Sequence, residues 1–287
     1  MRNLKHSNEN PCSFLKKIGK SLKGSNLSVY NKIEDGLFNQ YSEFDKNHIS
    51  LEKVNPLWNS RNTINATDFD LARNLYSRQK TCISNFWEDM KNVNGGKKYK
   101  CPLCGIHDVT DIDHYMPRSV FPEYSVHPLN LIPICHECNK RKGDVWLTDK
   151  GERLIFNAYF DVLIKADILE CKISIDDHNM PYADIVFNGG IRDTEQTRLV
   201  VSTITKMNYI CLYNDEVNEL LAKEILRIKE RLCINGTREI VPNEVWNDMK
   251  KEYSHYIENR NAYNEAEILL FKGLVLSSDF EKWIKTE

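Results

Sequence analysis

The chain has 287 residues, of which 41% are hydrophobic and 28% charged, and a net charge of -2 at pH 7. That length suits one large domain or two to three small ones with a packed core, and the near-zero balance excludes a uniformly basic surface, so any contact with nucleic acid must be a local patch. No apolar run of about 18 residues occurs, which argues against a transmembrane helix. The basic, polar start MRNLKHSNENPCSFLKKIGKSLKG lacks the apolar stretch of a secretory signal, so the expected compartment is the cytoplasm.

In chain order, residues 1–25 carry Lys5, Lys16, Lys17, Lys20 and Lys23 among small polar residues. This reads as a mobile or weakly helical arm, or alternatively as a basic arm that touches phosphates or a partner. Leu27, Tyr30, Ile33, Leu37, Phe38 and Tyr41 recur at three and four, predicting a helix with a core-facing stripe. Pro56 punctuates the region. Thr67 or Asp68 caps a second helix, Phe69 to about Lys91, with Leu71, Leu75, Cys82, Ile83, Phe86, Trp87 and Met90 on its apolar side. Arg73, Arg78 and Lys80 form its solvated face, or line a nucleic-acid path if the helix packs beside the central stretch. Asn94-Gly95-Gly96 marks a boundary.

The central stretch, Lys100 to Asp144, reads KCPLCGIHDVTDIDHYMPRSVFPEYSVHPLNLIPICHECNKRKGD. Its ends carry Cys101/Cys104 and Cys135/Cys138. Paired Cys-x-x-Cys turns are the usual source of four thiolates around a tetrahedral zinc, so these four are expected to tie the module's start to its end around a structural Zn2+ with no catalytic role. The remaining cysteines (Cys12, Cys82, Cys171, Cys211, Cys233) are scattered, a pattern that suits a reducing compartment better than a disulfide framework. A short strand, Val109 to Ile112, leads into Asp113-His114. Adjacent strand residues face opposite ways, so these two diverge unless the strand bends or ends. A histidine beside a carboxylate suits a general base near neutral pH, and the acid suits a hard divalent cation. Met116 to Ser119 turns the chain away, Asn130-Leu131-Ile132-Pro133 returns it, and a helix is expected to start at Asn139-Lys140-Arg141-Lys142. Of the other histidines here, His136 is expected beside the zinc turn or in solvent, His127 is a candidate phosphate contact, and His107 is loop.

Trp146 to Phe160 is aromatic with no clear period. Ile168–Ile175 and Ala183–Phe187 read as a β-hairpin. The Asp176-Asp177-His178 loop between them fits turn chemistry better than a metal site. Asn188-Gly189-Gly190 breaks the chain. Helical sequence follows from about Asp193 to Leu232, opened by Thr194 to Thr197 and striped by Val217, Leu220, Leu221, Ile225, Ile228 and Leu232. Asn235-Gly236 is a turn. Two further helices run from Pro242 to about Arg260 and from Asn264 to Leu276.

The central stretch resembles the HNH endonuclease family, also called ββα-metal nucleases. The resemblance rests on Cys-x-x-Cys, Asp-His-x-x-Pro-x-Ser, Asn-Leu and Cys-x-x-Cys-Asn-x-x-Lys in that order. It implies an α+β fold: a mainly helical chain carrying a small zinc-stapled ββα core and a C-terminal β-hairpin plus helices. The expected domains are an N-terminal helical region, 1–94, the nuclease core, 95–150, and a C-terminal hairpin and helical scaffold or docking region, 151–287. By resemblance, His114 is the general base, Asn130 ties the loop to the backbone and orients that base, and Asp113 and Asn139 hold one catalytic ion. Asparagine at 139 in place of histidine leaves a neutral oxygen ligand, which favours Mg2+ or Mn2+. The loop before Asn130 lacks the glycine that many members carry.

Lys140, Arg141 and Lys142, with Lys97, Lys98, Lys100 and Arg118 behind them, are the expected contacts to the DNA backbone, and such contacts carry no sequence information. The order of helical arm, nuclease core, hairpin and helices resembles HNH proteins of bacterial anti-phage defence, such as the nuclease subunit of Septu-type systems. That likeness implies an ATPase partner subunit and a homo- or hetero-oligomer, with no membrane. Two other readings stay open: a non-catalytic zinc module that binds nucleic acid or protein, and an RNA-cleaving nuclease toxin.

Overall fold

The computed structural model describes residues 1–58, 66–78, 80–96, 99–164, 166–232, 242–259 and 264–286. The chain is mostly helical with two small antiparallel sheets, and it divides into two compact units, Met1–Leu163 and Ile164–Glu287. The helices expected in 1–94 and the central stretch fall together in the first. No helix among the described residues is long and apolar enough to cross a membrane.

In the first unit, α1 (Pro11–Ser21) starts where the Asn10 side chain accepts a hydrogen bond from the Ser13 N–H and Pro11 takes the first turn. It packs on α2 (Gly24–Asn47), whose buried stripe is Tyr30, Ile33, Leu37, Tyr41 and Phe44. The stripe therefore sits further along the helix than the sequence period suggested, and Leu27 is left exposed. The second expected helix is described as α3 (Ala66–Arg78) and α4 (Lys80–Val93), on either side of residue 79, which lies outside the described residues. Residues 1–9 are neither helical nor a free arm. Arg2 N–H donates to Pro102 C=O at 2.8 Å and Leu4 N–H to Ala158 C=O at 2.9 Å, while Lys5 and Asn94 exchange bonds of 2.9 and 2.8 Å. These distant carbonyls leave no periodic signature in the sequence.

The strands β1 (Asp111–His114) and β2 (Leu131–Ile134) pair antiparallel with Asp113 opposite Ile132 and His114 opposite Leu131, and α5 (His136–Lys142) follows directly. This helix starts three residues before the expected Asn139, because Cys135 caps it: its sulfur accepts the Cys138 N–H at 3.4 Å. Trp146 to Phe160, which showed no period, forms no helix or strand. It wraps the core instead, with Tyr115 OH donating to Ile155 C=O and Tyr159 OH to Leu131 C=O, both at 2.7 Å.

The loop between β1 and β2 is shaped by the helices around it. Tyr124 OH reaches the Gln40 side chain of α2 at 2.8 Å, Ser125 Oγ donates to Ala72 C=O of α3 at 2.5 Å, and Glu123 accepts from Leu57 N–H at 2.7 Å. These tethers do what a flexible glycine would otherwise permit. Two titratable groups are buried in the process. His127 lies 4.2 Å from the Phe44 ring and 4.4 Å from the Tyr41 ring, so it is no phosphate contact. Burial pushes its imidazole down to about 3 and pushes the Glu123 carboxyl up to about 7.

The two shifts have opposite consequences for stability. A histidine whose folded value is depressed destabilises the fold as pH drops below its unfolded value, about 6.5, towards 3. A carboxyl whose folded value is raised contributes stability that is complete below about 4.5 and lost as pH rises to 7. Urea midpoints at pH 5 and 7.5 should therefore tilt in opposite directions in His127→Phe and Glu123→Gln, with His127 alone accounting for roughly 2 kcal/mol between pH 6.5 and 5 in the wild type. Parallel pH profiles for both variants would contradict this.

In the second unit, β3 (Leu169–Ile175) and β4 (Pro181–Phe187) form the expected hairpin. Its turn is closed by Asp176 Oδ1, which accepts the N–H groups of His178 and Met180 at 2.9 and 2.8 Å, with Asn179 at φ 60°. Turn chemistry accounts for Asp176. Both outer edges of the hairpin are covered. On β4, Asn218 of α7 (Tyr209–Leu232) bonds both the N–H and the C=O of Ala183, and Asn214 accepts from Ile185. On β3, Asn264 accepts from Leu169 N–H and Ser277 donates to Ile173 C=O. Between them Gly273 of α9 (Ala266–Leu276) lies so close that a Cβ there would come within 2.7 Å of Cys171 O. Ahead of α7, α6 (Glu195–Lys206) opens on a Thr194/Thr197 capping box and is separated from α7 by Asn208 at φ 50°. The unit is completed by α8 (Pro242–Asn259) and by α10 (Ser278–Thr286), a helix the sequence reading did not anticipate. The turn expected at Asn235-Gly236 lies outside the described residues.

Candidate active site

Four cysteines open and close the central module. Cys101, Cys104, Cys135 and Cys138 are all buried, and their sulfurs lie within 4.8 Å of one another. Cys104 Sγ and Cys135 Sγ are 3.9 Å apart. That is far beyond a disulfide, and close to the edge of a tetrahedron of thiolates around zinc, about 3.8 Å for Zn–S bonds of about 2.3 Å. Gly105, at φ 74°, closes the first turn with its N–H on Cys101 C=O, a conformation open to glycine without steric cost. The donor set fits a structural Zn2+, and the eight described cysteines are free of disulfides.

The zinc knuckle fixes α5 against β1, and alternation along β1 does the rest. Asp111 and Asp113 share one face of the strand, and Asn139 and Lys142 share one face of the helix. They meet as two rungs. Asn139 Nδ2 donates to Asp111 Oδ2 at 3.1 Å, and Lys142 Nζ lies 2.9 Å from Asp113 Oδ2. Asp113 and Asn139, the pair expected to hold a cation, lie across the diagonal of this ladder. Because the Asp111 carboxylate can only accept, the Asn139 amide is turned with its NH2 toward it, which leaves Oδ1 as the oxygen for a ligand. Carboxylate and amide oxygens are the hard donors that Mg2+ or Mn2+ takes.

The two rungs differ in charge: Asp113 faces an ammonium, and Asp111 is held by hydrogen bonds. Burial pushes the Asp113 carboxyl up, and the Lys142 ammonium pulls it back. Desolvation also works against the Asp111 carboxylate, but bonds from Asn139 and from His136 Nδ1, at 3.0 Å, outweigh it and hold the group below the usual carboxylate range. His136 is thus both solvent-facing and tied to the site. Lys142, expected among the nucleic-acid contacts, has a side chain only 1% exposed, and its ammonium also donates to His114 C=O at 2.8 Å.

His114 points away from this ladder, as strand alternation requires. Its Nε2 is 2.9 Å from Ser125 C=O. A carbonyl only accepts, so Nε2 carries the proton and Nδ1 is bare. Burial pushes the imidazole down to about 4, opposed by the Ser125 bond and reinforced by the Arg118 and Lys142 charges. The ring is therefore neutral at pH 7 and able to take a proton. Asn130 is fully buried. Its side chain accepts from Met116 N–H at 2.8 Å and donates to Met116 C=O and Tyr124 C=O, each at 3.1 Å, which closes the loop that presents Ser125 to His114.

The remaining cations are dispersed. Lys140 is exposed. Arg141 pairs with Glu137 at 2.7 Å and Lys100 with Asp108 at 3.3 Å. Arg118 donates to Ser77 Oγ of α3 at 3.1 Å. Lys97 and Lys98 lie outside the described residues.

Four clustered thiols thus staple two short strands and a helix, with Asp111, Asp113, Asn139 and Lys142 meeting on one side of β1 and His114 turned to the other. Residues 101–145 match the HNH endonuclease family. The match covers this central segment of the chain. Over 90 residues the chain is 39% identical to Protein ea31 of Escherichia phage lambda, a stretch that takes in 31% of this chain and 29% of that protein. The chain thus spans less than a third of the length of the relative it matches. No solved structure matches it. Sequence reasoning passed over Asp111, which alternation could have found two residues before Asp113, and Ser125, which nothing in the sequence marks.

Proposed function

We propose that the chain is a metal-dependent endonuclease that hydrolyses phosphodiester bonds of DNA, with His114 as general base and Asp113 and Asn139 as ligands of a divalent cation. The observation that carries this reading is the 2.9 Å contact of His114 Nε2 with Ser125 C=O, which assigns the proton to Nε2 and leaves Nδ1 as the ring's proton acceptor. A bound Mg2+ or Mn2+ would supply charge stabilisation for the pentavalent transition state and the leaving oxygen. Asn130 keeps the base in register through the loop. Asp111 keeps the Asn139 oxygen facing outward, and Lys142 neutralises Asp113. Lys140, Arg118 and Lys100 are the cations placed to meet the backbone of the substrate.

A zinc module built only for binding has no use for a histidine held in one tautomer on one side of β1 and a carboxylate–amide pair on the other, which favours the enzymatic reading over the binding one. We further place the enzyme in the cytoplasm as an effector of a bacterial anti-phage defence or restriction system, beside an ATPase subunit. That placement is supported by the order of helical arm, nuclease core, hairpin and helices, and by a second unit that contributes none of the site residues.

The test is cleavage of supercoiled plasmid, single-stranded DNA and RNA by the desalted full chain, with and without added Mg2+. Omitting Mg2+ instead of adding a strong chelator leaves the zinc in place. Cleavage of DNA that appears only with Mg2+ or Mn2+ is expected. Cleavage of RNA alone would replace DNA as the substrate, and no cleavage in the presence of either ion by zinc-loaded, folded chain would count against a self-sufficient nuclease.

A further inference from the structure

The proposed base is framed by a helix that lies outside the matched HNH residues. One face of α3, with residues 72, 73, 76 and 77 at helical i, i+4 spacing, turns toward His114. Ala72 C=O accepts from Ser125 Oγ at 2.5 Å, and Ser125 C=O in turn accepts from His114 Nε2 at 2.9 Å. The Tyr76 ring stands edge-on to the His114 imidazole, centroids 4.8 Å apart and planes at 74°. The Arg118 guanidinium lies over the same tyrosine at 5.8 Å and is tied to Ser77 Oγ at 3.1 Å and to Arg73 C=O at 3.5 Å. The histidine is thus bounded on one side by a carbonyl that α3 anchors, and on another by an aromatic ring that α3 carries.

We propose that Tyr76 is a positioning residue for His114: its ring blocks rotation of the imidazole, so that Nε2–H stays on Ser125 C=O and Nδ1 stays turned to the water it deprotonates. This rests on the reading of His114 as the general base. The physical reason is steric. A histidine χ2 torsion is broad and two-fold, and one hydrogen bond to a carbonyl contributes about 1 kcal/mol net, too little alone to hold a single orientation. An edge-on aromatic pair adds a comparable amount and occupies the volume into which the ring would swing. The hydroxyl of Tyr76 plays no part in this; the ring does.

The experiment compares Tyr76→Phe, Tyr76→Leu and Tyr76→Ala in the full chain. Long-range 1H–15N spectra of the histidine rings, with the His114 signal assigned by its loss in His114→Gln, report which nitrogen carries the proton. The wild type and Tyr76→Phe are expected to show one tautomer, protonated at Nε2. Tyr76→Leu and Tyr76→Ala are expected to show exchange between tautomers, and a fall in kcat of roughly 10- to 100-fold with KM little changed on a short DNA duplex, which Tyr76→Phe does not share.

Tyr76→Leu fills most of the volume, so it keeps the test open if Tyr76→Ala fails to fold. A folded Tyr76→Leu with the wild-type ring signature and rate would overturn the proposal. So would a Tyr76→Phe as impaired as Tyr76→Ala, since that would assign the effect to the hydroxyl. If the wild type cleaves nothing, the reading as a self-sufficient nuclease falls, and the ring spectra alone still decide whether Tyr76 holds His114.

Discussion

His114→Ala is expected to lower the rate of Mg2+-dependent DNA cleavage by about 10²–10⁴-fold, the usual contribution of a positioned general base, with little change in substrate affinity. The imidazole is the group with a bare nitrogen at the site, and burial keeps it neutral at pH 7. The fold should tolerate the change. Ser125 C=O loses one donor, a cost of about 1 kcal/mol, while Asn130 still closes the loop with three bonds of its own. His114→Gln sharpens the comparison, because glutamine can still donate to Ser125 but cannot take a proton from water. Single-turnover cleavage should be equally slow in both variants. A glutamine variant as fast as the wild type would remove His114 from the role of base.

Loss of zinc should have the larger effect on the structure. The purified chain is expected to hold one zinc per molecule, measured by elemental mass spectrometry. Stripping it, or replacing Cys138 by serine, should release β1, β2 and α5 together. Structural zinc contributes about 10–16 kcal/mol to folding in small domains, as much as the whole stability of a typical domain. The strands here are four residues each and the helix seven, too short to persist on their own. Hydrogen exchange should then show protection lost across residues 99–145 and kept in α7 and α9. A zinc-free chain with β1 and α5 still protected would show that packing, not metal, holds the module.

The four-cysteine cluster was legible because chemistry demands thiols at a spacing that short turns impose, while the roles of Asp113, His114, Asn130 and Asn139 come from the motif order and belong to the proposal above. Less legible were residues whose partners are far away in sequence. Lys142 looked like one more cation in a basic run. Its burial follows from the helix starting at His136 rather than Asn139, which turns residue 142 inward beside residue 139. Residues 1–9 looked mobile because their partners, Pro102 and Ala158, are carbonyls and carry no sequence signature. Tyr76 looked like one more position on an amphipathic helix. The hairpin was read correctly since β-branched residues and a turn-forming Asp and Asn mark it locally.

The covered edges of that hairpin have a consequence for assembly. A two-stranded ribbon ordinarily offers two rows of open amides, which other chains can extend into a growing sheet. Here Asn214 and Asn218 bond into the β4 row, Asn264 and Ser277 into the β3 row, and Gly273 packs against the β3 row at Cys171. A protein that joins this unit therefore cannot do so by lending a strand. It must read side chains, and the same closure keeps neighbouring copies from polymerising through the ribbon when the protein is concentrated.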